Sequence, residues 1–223
     1  MAQPYFRYVP NFEYVSRLNG AKNISDFIEV KNLFKRVRLS EEVLGQITFF
    51  TKYKIVGDER PDQIAYKVYG DQNLDWLVML SNNIINLENE WPLSQESFYN
   101  YVINKYGEEG NINNVHHYET RLVKDNRGRT VLKKGLEVSQ DFSITYFDSG
   151  IDREVTINNV TEGVTNYEYE EGIQDAKRNI YLLKEKYLVN VLNGIEAEMP
   201  YKEGSTQYIT EELIRGENIR LYQ

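Results

Sequence analysis

The sequence predicts an α+β fold. Three observations carry that reading: apolar residues recur at helical spacing in several segments between residues 23 and 107, the pattern shifts to alternation beyond Gly110, and a short strand with a helical stripe closes the chain near residue 200. The length of 223 residues allows one ordinary domain or two small ones. A compact chain of that size buries roughly 70% of its unfolded surface, enough for a real core.

Residues 1–22 read as an extended N-terminal arm. Pro4 and Pro10 oppose a helix, and Phe6, Tyr8, Phe12 and Tyr14 sit at even spacing, which would make one face of an extended segment aromatic. Two uses are open: an edge strand on the protein's own core, or an arm that docks on another chain. Exposed aromatics are a liability on a free monomer, and this favours docking. With Tyr5 beside them, these residues are the candidate interface. Residues 23–45 follow as a helical segment, with Ser25 or Asp26 as cap and Phe27, Val30, Phe34 and Val37 at helical spacing.

Ile47, Phe49, Thr51, Tyr53 and Ile55 alternate as in a strand that ends at the Gly57-Asp58 turn. Pro61 suits the first turn of a helix that carries Ile64, Ala65 and Val68 inward and stops at Tyr69-Gly70-Asp71. A second short helix has Leu74, Leu77 and Leu80 on one side and Trp76 and Met79 on its flank, and breaks at Asn82-Asn83. Ser94 opens a third, with Phe98, Tyr101, Val102 and Tyr106, before Gly107. Residues 111–165 form a β-rich hairpin elaboration. Val115–Val123 and Arg129–Val138 flank the turn Asp125-Asn126-Arg127-Gly128. A continuous strand of that length would reach roughly 30 Å. Phe142–Phe147 and Glu154–Val160 read as further short strands. Residues 166–200 make a closing α/β unit: a strand over Asn179–Leu183, then the stripe Leu188, Val191, Leu192, Ile195 and Met199, ending near Pro200. Residues 201–223 are a polar tail with a strand expected over Asn218–Tyr222.

Composition narrows the function. The formal charge of -8 and the pI near 5.0 disfavour a nucleic-acid grip, which needs a basic stripe. With Cys absent, disulfides, thiolate metal sites and thiol catalysis are excluded. The N-terminus lacks the basic head and apolar run of a signal peptide, and no apolar stretch approaches the ~20 residues of a membrane span, so a soluble protein is expected. Aromatics make up 13% of the chain, with 18 Tyr, which argues against wholesale disorder and suits half-wet contact surfaces. No P-loop, dinucleotide fingerprint, H-E-x-x-H or nucleophile elbow is present. Adjacent His116 and His117 on a strand should point to opposite faces and so share no metal. Glu168, Glu170 and Glu171 beside Tyr167 and Tyr169 read as a solvated acidic face. The chain offers no catalytic, cofactor or metal site, and no enzyme is expected.

The stretch from Tyr53 to Asp71 resembles the opening of a LysM module. Gly57 and Asp58 form the turn, Pro61, Ile64 and Ala65 lie in the first helix, Tyr69 and Gly70 end it, and Trp76 lies in a second helix that reaches Asn82. The match makes residues 46–110 a LysM-like domain, and it departs from a glycan-binding LysM in two ways. The turn carries Arg60-Pro61 with shifted spacing, and no closing strand follows directly. With Trp91-Pro92-Leu93-Ser94 and the aromatic start Tyr5-Phe6-Arg7-Tyr8, the variant resembles the baseplate wedge protein of T-even-type contractile-tailed phages, the gene 53 product family. That resemblance implies a structural virion protein of the tail baseplate, assembled in the host cytoplasm. Its role would be to clamp the wedge core and join neighbouring wedges. The implied partners are other wedge subunits: a paired scaffold subunit, its helical companion, and the lysozyme-like subunit that starts the sheath, with six copies of this chain per baseplate. The alternative is a glycan-binding LysM protein, or the targeting module of a cell-wall hydrolase.

Overall fold

Pro4 precedes a single helical turn, α1 (Tyr5–Tyr8), in the first of two units. The computed structural model describes residues 4–16, 26–107 and 109–216. One unit is Met1–Trp91 with Asn179–Gln223; the other is Pro92–Arg178. The first unit continues with β1 (Asn11–Val15), β2 (Phe27–Lys31), α2 (Glu41–Leu44), β3 (Phe50–Lys54), α3 (Pro61–Tyr69), α4 (Asp75–Ser81) and α5 (Leu87–Glu90). The second holds α6 (Gln95–Tyr106), β4 (Val115–Thr120), β5 (Val123–Lys124), β6 (Thr130–Leu132), β7 (Glu137–Val138), β8 (Ile144–Asp148), β9 (Arg153–Ile157), β10 (Thr161–Thr165) and α7 (Asn166–Lys177). The chain then returns to the first unit through β11 (Asn179–Leu183), α8 (Glu185–Glu198), β12 (Tyr208–Thr210) and β13 (Leu213–Arg215). The α+β class is as the sequence predicts.

The core of the first unit is a strand–helix–helix–strand assembly whose second strand arrives late. β11 runs antiparallel to β3, from Asn179 opposite Lys54 to Leu183 opposite Phe50. Ile64 and Ala65 of α3, Leu74, and Leu77 and Val78 of α4 are fully buried, in one cluster with Ile180, Leu182 and Leu183 of β11. Each such Val, Leu or Ile side chain stabilises the fold by about 1.5–3 kcal/mol relative to exposure. Pro61 starts α3, and the Gln63 side chain accepts the Arg60 N–H at 3.0 Å. Gly70 ends the helix at φ 73°, the left-handed position where a Cβ is penalised. Asn82 bonds both backbone groups of Tyr181: its Nδ2 donates to the Tyr181 carbonyl at 2.9 Å and its Oδ1 accepts the Tyr181 N–H at 2.7 Å. One side chain thus extends the edge of β11 as a neighbouring strand would.

The same unit holds a four-stranded sheet in the order β12-β13-β1-β2. Here two expectations are corrected. Phe27–Lys31 is a strand, not part of a helix: it pairs antiparallel with β1 across its whole length, and 3.6-residue spacing gives way to a run of aromatic and β-branched residues that suits a sheet. Residues 23–25 lie outside the described residues. Asn11–Val15, read as an arm, is an interior strand flanked by β2 and, in parallel register, by β13. The polar tail supplies β12 and β13, whereas the strand expected at Asn218–Tyr222 lies outside the described residues. In the first half of the expected strand at 47–55, Ile47–Phe49 is a 3-10 turn, and pairing starts at Phe50.

In the second unit, Ser94 caps α6, its Oγ accepting the Ser97 N–H at 3.2 Å. Phe98, Val102 and Ile112 form the core with Leu93, Tyr106 and Tyr167 against it. The expected long hairpin is interrupted. β4 ends at Thr120 and pairs with β10 and β7, leaving only the short β5–β6 ribbon around Asp125–Gly128. Thr120 explains the break: fully buried, its Oγ1 donates to the Lys133 carbonyl at 2.7 Å and accepts the Leu136 N–H at 3.1 Å. The sequence reading also leaves out α7, although Thr165 and Glu168 form a capping box at its start. Helix α7 overturns the reading of its acidic cluster as wholly solvated. Glu170 is 2% exposed and accepts hydrogen bonds from Lys105 at 2.6 Å and the Tyr106 hydroxyl at 2.9 Å. His116 and His117 are also rearranged. The register of β4 against β10 skips His116, a bulge that turns its ring towards its neighbour, so the two Nδ1 atoms lie 2.9 Å apart. Among the described residues no group of three or more His, Cys, Asp or Glu is placed to hold a metal ion, and no helix is long and apolar enough to cross a membrane.

Candidate interaction surface

The aromatic residues proposed from the sequence divide between core and surface. The single turn of α1 places the rings of Tyr5 and Tyr8 against Trp76, with centroids 5.9 and 5.5 Å away. The Tyr5 hydroxyl also accepts the Val37 N–H at 3.4 Å. Phe6, from the same turn, is exposed. On β1, Phe12 is half-buried and Tyr14 exposed. Gly216 passes so close to Phe12 that a Cβ there would stand 2.7 Å from the ring.

Phe6, Phe12 and Tyr14 contribute to a run of apolar concavities. One, of about 740 Å³, is lined by Phe12, Tyr14, Val30, Leu33 and Phe34 among others. The next, of about 580 Å³, shares Leu33 and adds Phe6, Trp76, Met79 and Ile85. A third, of about 670 Å³, shares Leu80 and Arg36 with the second and reaches Leu44 and Tyr181. Between the first two stands the turn after β2, where Leu33 is 75% and Phe34 95% exposed. Nothing in the sequence pattern marked these two, because a helical reading of residues 23–45 gave Phe34 an inward position.

The residues of the Tyr53–Asn82 motif lie in or around the core of the same unit. Trp76 is 5% exposed, and its Nε1 has no hydrogen-bond partner among the described residues. Pro61, Ile64 and Ala65 are buried, Tyr69 is half-buried with its hydroxyl donating to the Leu183 carbonyl at 3.0 Å, and Gly57 makes its turn at φ 60° with Asp58 exposed beside it. The loop between β3 and α3 is bonded from within. The Glu59 carboxylate accepts from the Tyr53 hydroxyl at 2.8 Å, the Val56 N–H at 3.1 Å and Lys67 at 3.1 Å, while its carbonyl accepts the Trp91 indole N–H at 3.1 Å. Burial works against the Glu59 charge, but these three donors hold its carboxyl below the ordinary range.

A family model described as base plate wedge protein 53 matches residues 5–186. The chain is also similar to the baseplate wedge protein gp53 of Enterobacteria phage T4, 34% identical over 65 residues, which is 29% of this chain. The matched stretch spans about a third (33%) of the length of that curated relative.

Proposed function

We propose, since the chain belongs to the base plate wedge protein 53 family, that it is a structural subunit of a phage tail baseplate and works through protein–protein contacts rather than catalysis. The observation that carries this reading is the apolar run across the first unit, with Leu33 and Phe34 at its most exposed point. Apolar surface concentrated in this way is the mark of an interface. The role follows the family expectation: clamping the wedge core and joining neighbouring wedges, as part of the virion after assembly in the host cytoplasm. The partners would be the paired scaffold subunit, its helical companion and the lysozyme-like sheath-initiating subunit.

The finer reading of the core as LysM-like is supported by the order β3, α3, α4, β11 and by the antiparallel return of β11 on β3. In that reading residues 92–178 are an insertion ahead of the closing strand, which accounts for the missing strand after Asn82. A sugar-binding use gains little support, because Glu59, in the loop after Gly57, spends its carboxylate on Tyr53 and Lys67 and its carbonyl on Trp91. Co-expression with the other wedge subunits of the same phage, followed by size exclusion, tests the proposal. Co-elution is expected. Elution alone, with sedimentation on insoluble peptidoglycan, would favour the glycan-binding alternative.

A further inference from the structure

We propose that the apolar run on the first unit receives an acidic, apolar segment of another protein, and that Arg36 and Arg38 select it by charge. The inference rests on the reading above that the chain acts through protein contacts, and it adds the chemistry of what is contacted.

Residues 36–39 alternate between solvent and core: Val37 and Leu39 are buried, and Arg36 and Arg38 are exposed. Both arginine side chains therefore face solvent, on the side away from Val37 and Leu39. Arg36 lines both the second and the third concavity, and Arg38 lines the third. Neither has an ion-pair or hydrogen-bond partner among the described residues. The neighbouring cations are already committed. Lys31 donates to the Val9 carbonyl at 2.9 Å, and Lys35 donates to the carbonyls of Met199 and Pro200. The carboxylates at the rim are Asp75 and Glu41. Asp75 accepts the Trp76 N–H at 2.8 Å, and Glu41, in the first turn of α2, forms no ion pair with either arginine among the described residues.

A chain of net charge -8 thus keeps two unneutralised arginines beside its most exposed apolar side chains. Apolar walls supply affinity, and a planar guanidinium fork matches a carboxylate bidentately, so the complement is a segment with large apolar side chains flanked by Asp or Glu. Like-charge repulsion would exclude a basic segment from the same groove.

The test uses the full chain and two synthetic amphipathic peptides of equal length with the same leucine stripe, one flanked by Glu and one by Lys, followed by fluorescence anisotropy. The Glu peptide should bind, weaken as salt rises, and lose at least about tenfold in affinity to Arg36→Glu/Arg38→Glu, which should in turn gain affinity for the Lys peptide. Leu33→Ser/Phe34→Ser should weaken the Glu peptide without altering its salt dependence. Thermal melts check folding, and Arg36→Ser/Arg38→Ser, expected to lose affinity in the same direction, replaces the reversal if that variant does not fold. Equal binding of the two peptides to the unmodified chain, no binding of the Glu peptide, or indifference to the arginine variants overturns the inference. Co-elution with wedge subunits alongside such a result leaves the baseplate reading standing. Charge-selective peptide binding without co-elution overturns the baseplate reading and leaves this inference standing.

Discussion

At the residue scale, the fold hangs on a few side chains that do two things. Trp76 fills the flank of α4 and gives α1 a surface to lie on, through Tyr5 and Tyr8. Trp76→Ala removes both and should cost about 3–5 kcal/mol, read as a lowered melting temperature. An unchanged melt would mean that the aromatic cluster is not part of the core. Glu59 ties strand, loop and helix together through Tyr53, Val56 and Lys67. Its folded pKa is depressed, so the unfolded chain binds the proton more readily. The stability this contributes is therefore present above the ordinary carboxylate range and is lost as pH falls through the folded value. Glu59→Gln should lower the melting temperature at neutral pH and reduce its decline on acidification, so the two curves converge in acid. Parallel curves for the two proteins would remove Glu59 from the account. These residue-scale features were partly legible in the sequence. Gly57, Pro61, Gly70 and Asn82 announce turns, starts and stops by their chemistry, but the bonds of Glu59 and the inward turn of Glu170 depend on partners the local pattern does not specify.

At the scale of elements, the helices were the readable part. α3, α4, α6 and α8 each carry a local stripe and a terminal signal. The strands were less so, because the information that defines them lies far along the chain. β1 had no visible partner: β2 carries a spacing that also fits a helix, and β13 comes from a polar tail whose pairing is parallel and remote. α7 was missed for a different reason. Its apolar positions are few, and the Thr165–Glu168 capping box was the only sharp signal. The interior position of β1 reverses the expectation for the N-terminal segment. Removing residues 2–18 deletes one of the middle strands of a four-stranded sheet together with the turn that covers Trp76. The truncated chain should melt at clearly lower temperature, and limited proteolysis should then cut within β2 and β13. A truncated chain as stable as the full one would restore the free-arm reading.

At the scale of the whole molecule, the first unit is built from two segments that are separated in sequence by residues 92–178. The two segments meet within that unit: Trp91 donates to the Glu59 carbonyl, and Asn179 pairs with Lys54 at the other end of the same loop. The candidate interaction surface, aromatic start and strand–helix–helix–strand core all belong to the body formed by residues 1–91 and 179–223. The central proposal is that the discontinuous first unit is the part of this wedge-family protein that makes the contacts. The direct measurement replaces residues 92–178 with a flexible linker, verifies folding by a cooperative thermal melt, and asks whether the shortened chain still co-elutes with the wedge subunits that retain the full chain. Retention of both folding and co-elution is the expected result. A shortened chain that folds cooperatively but no longer co-elutes, beside a full chain that does, would contradict the claim and assign the essential contacts to residues 92–178.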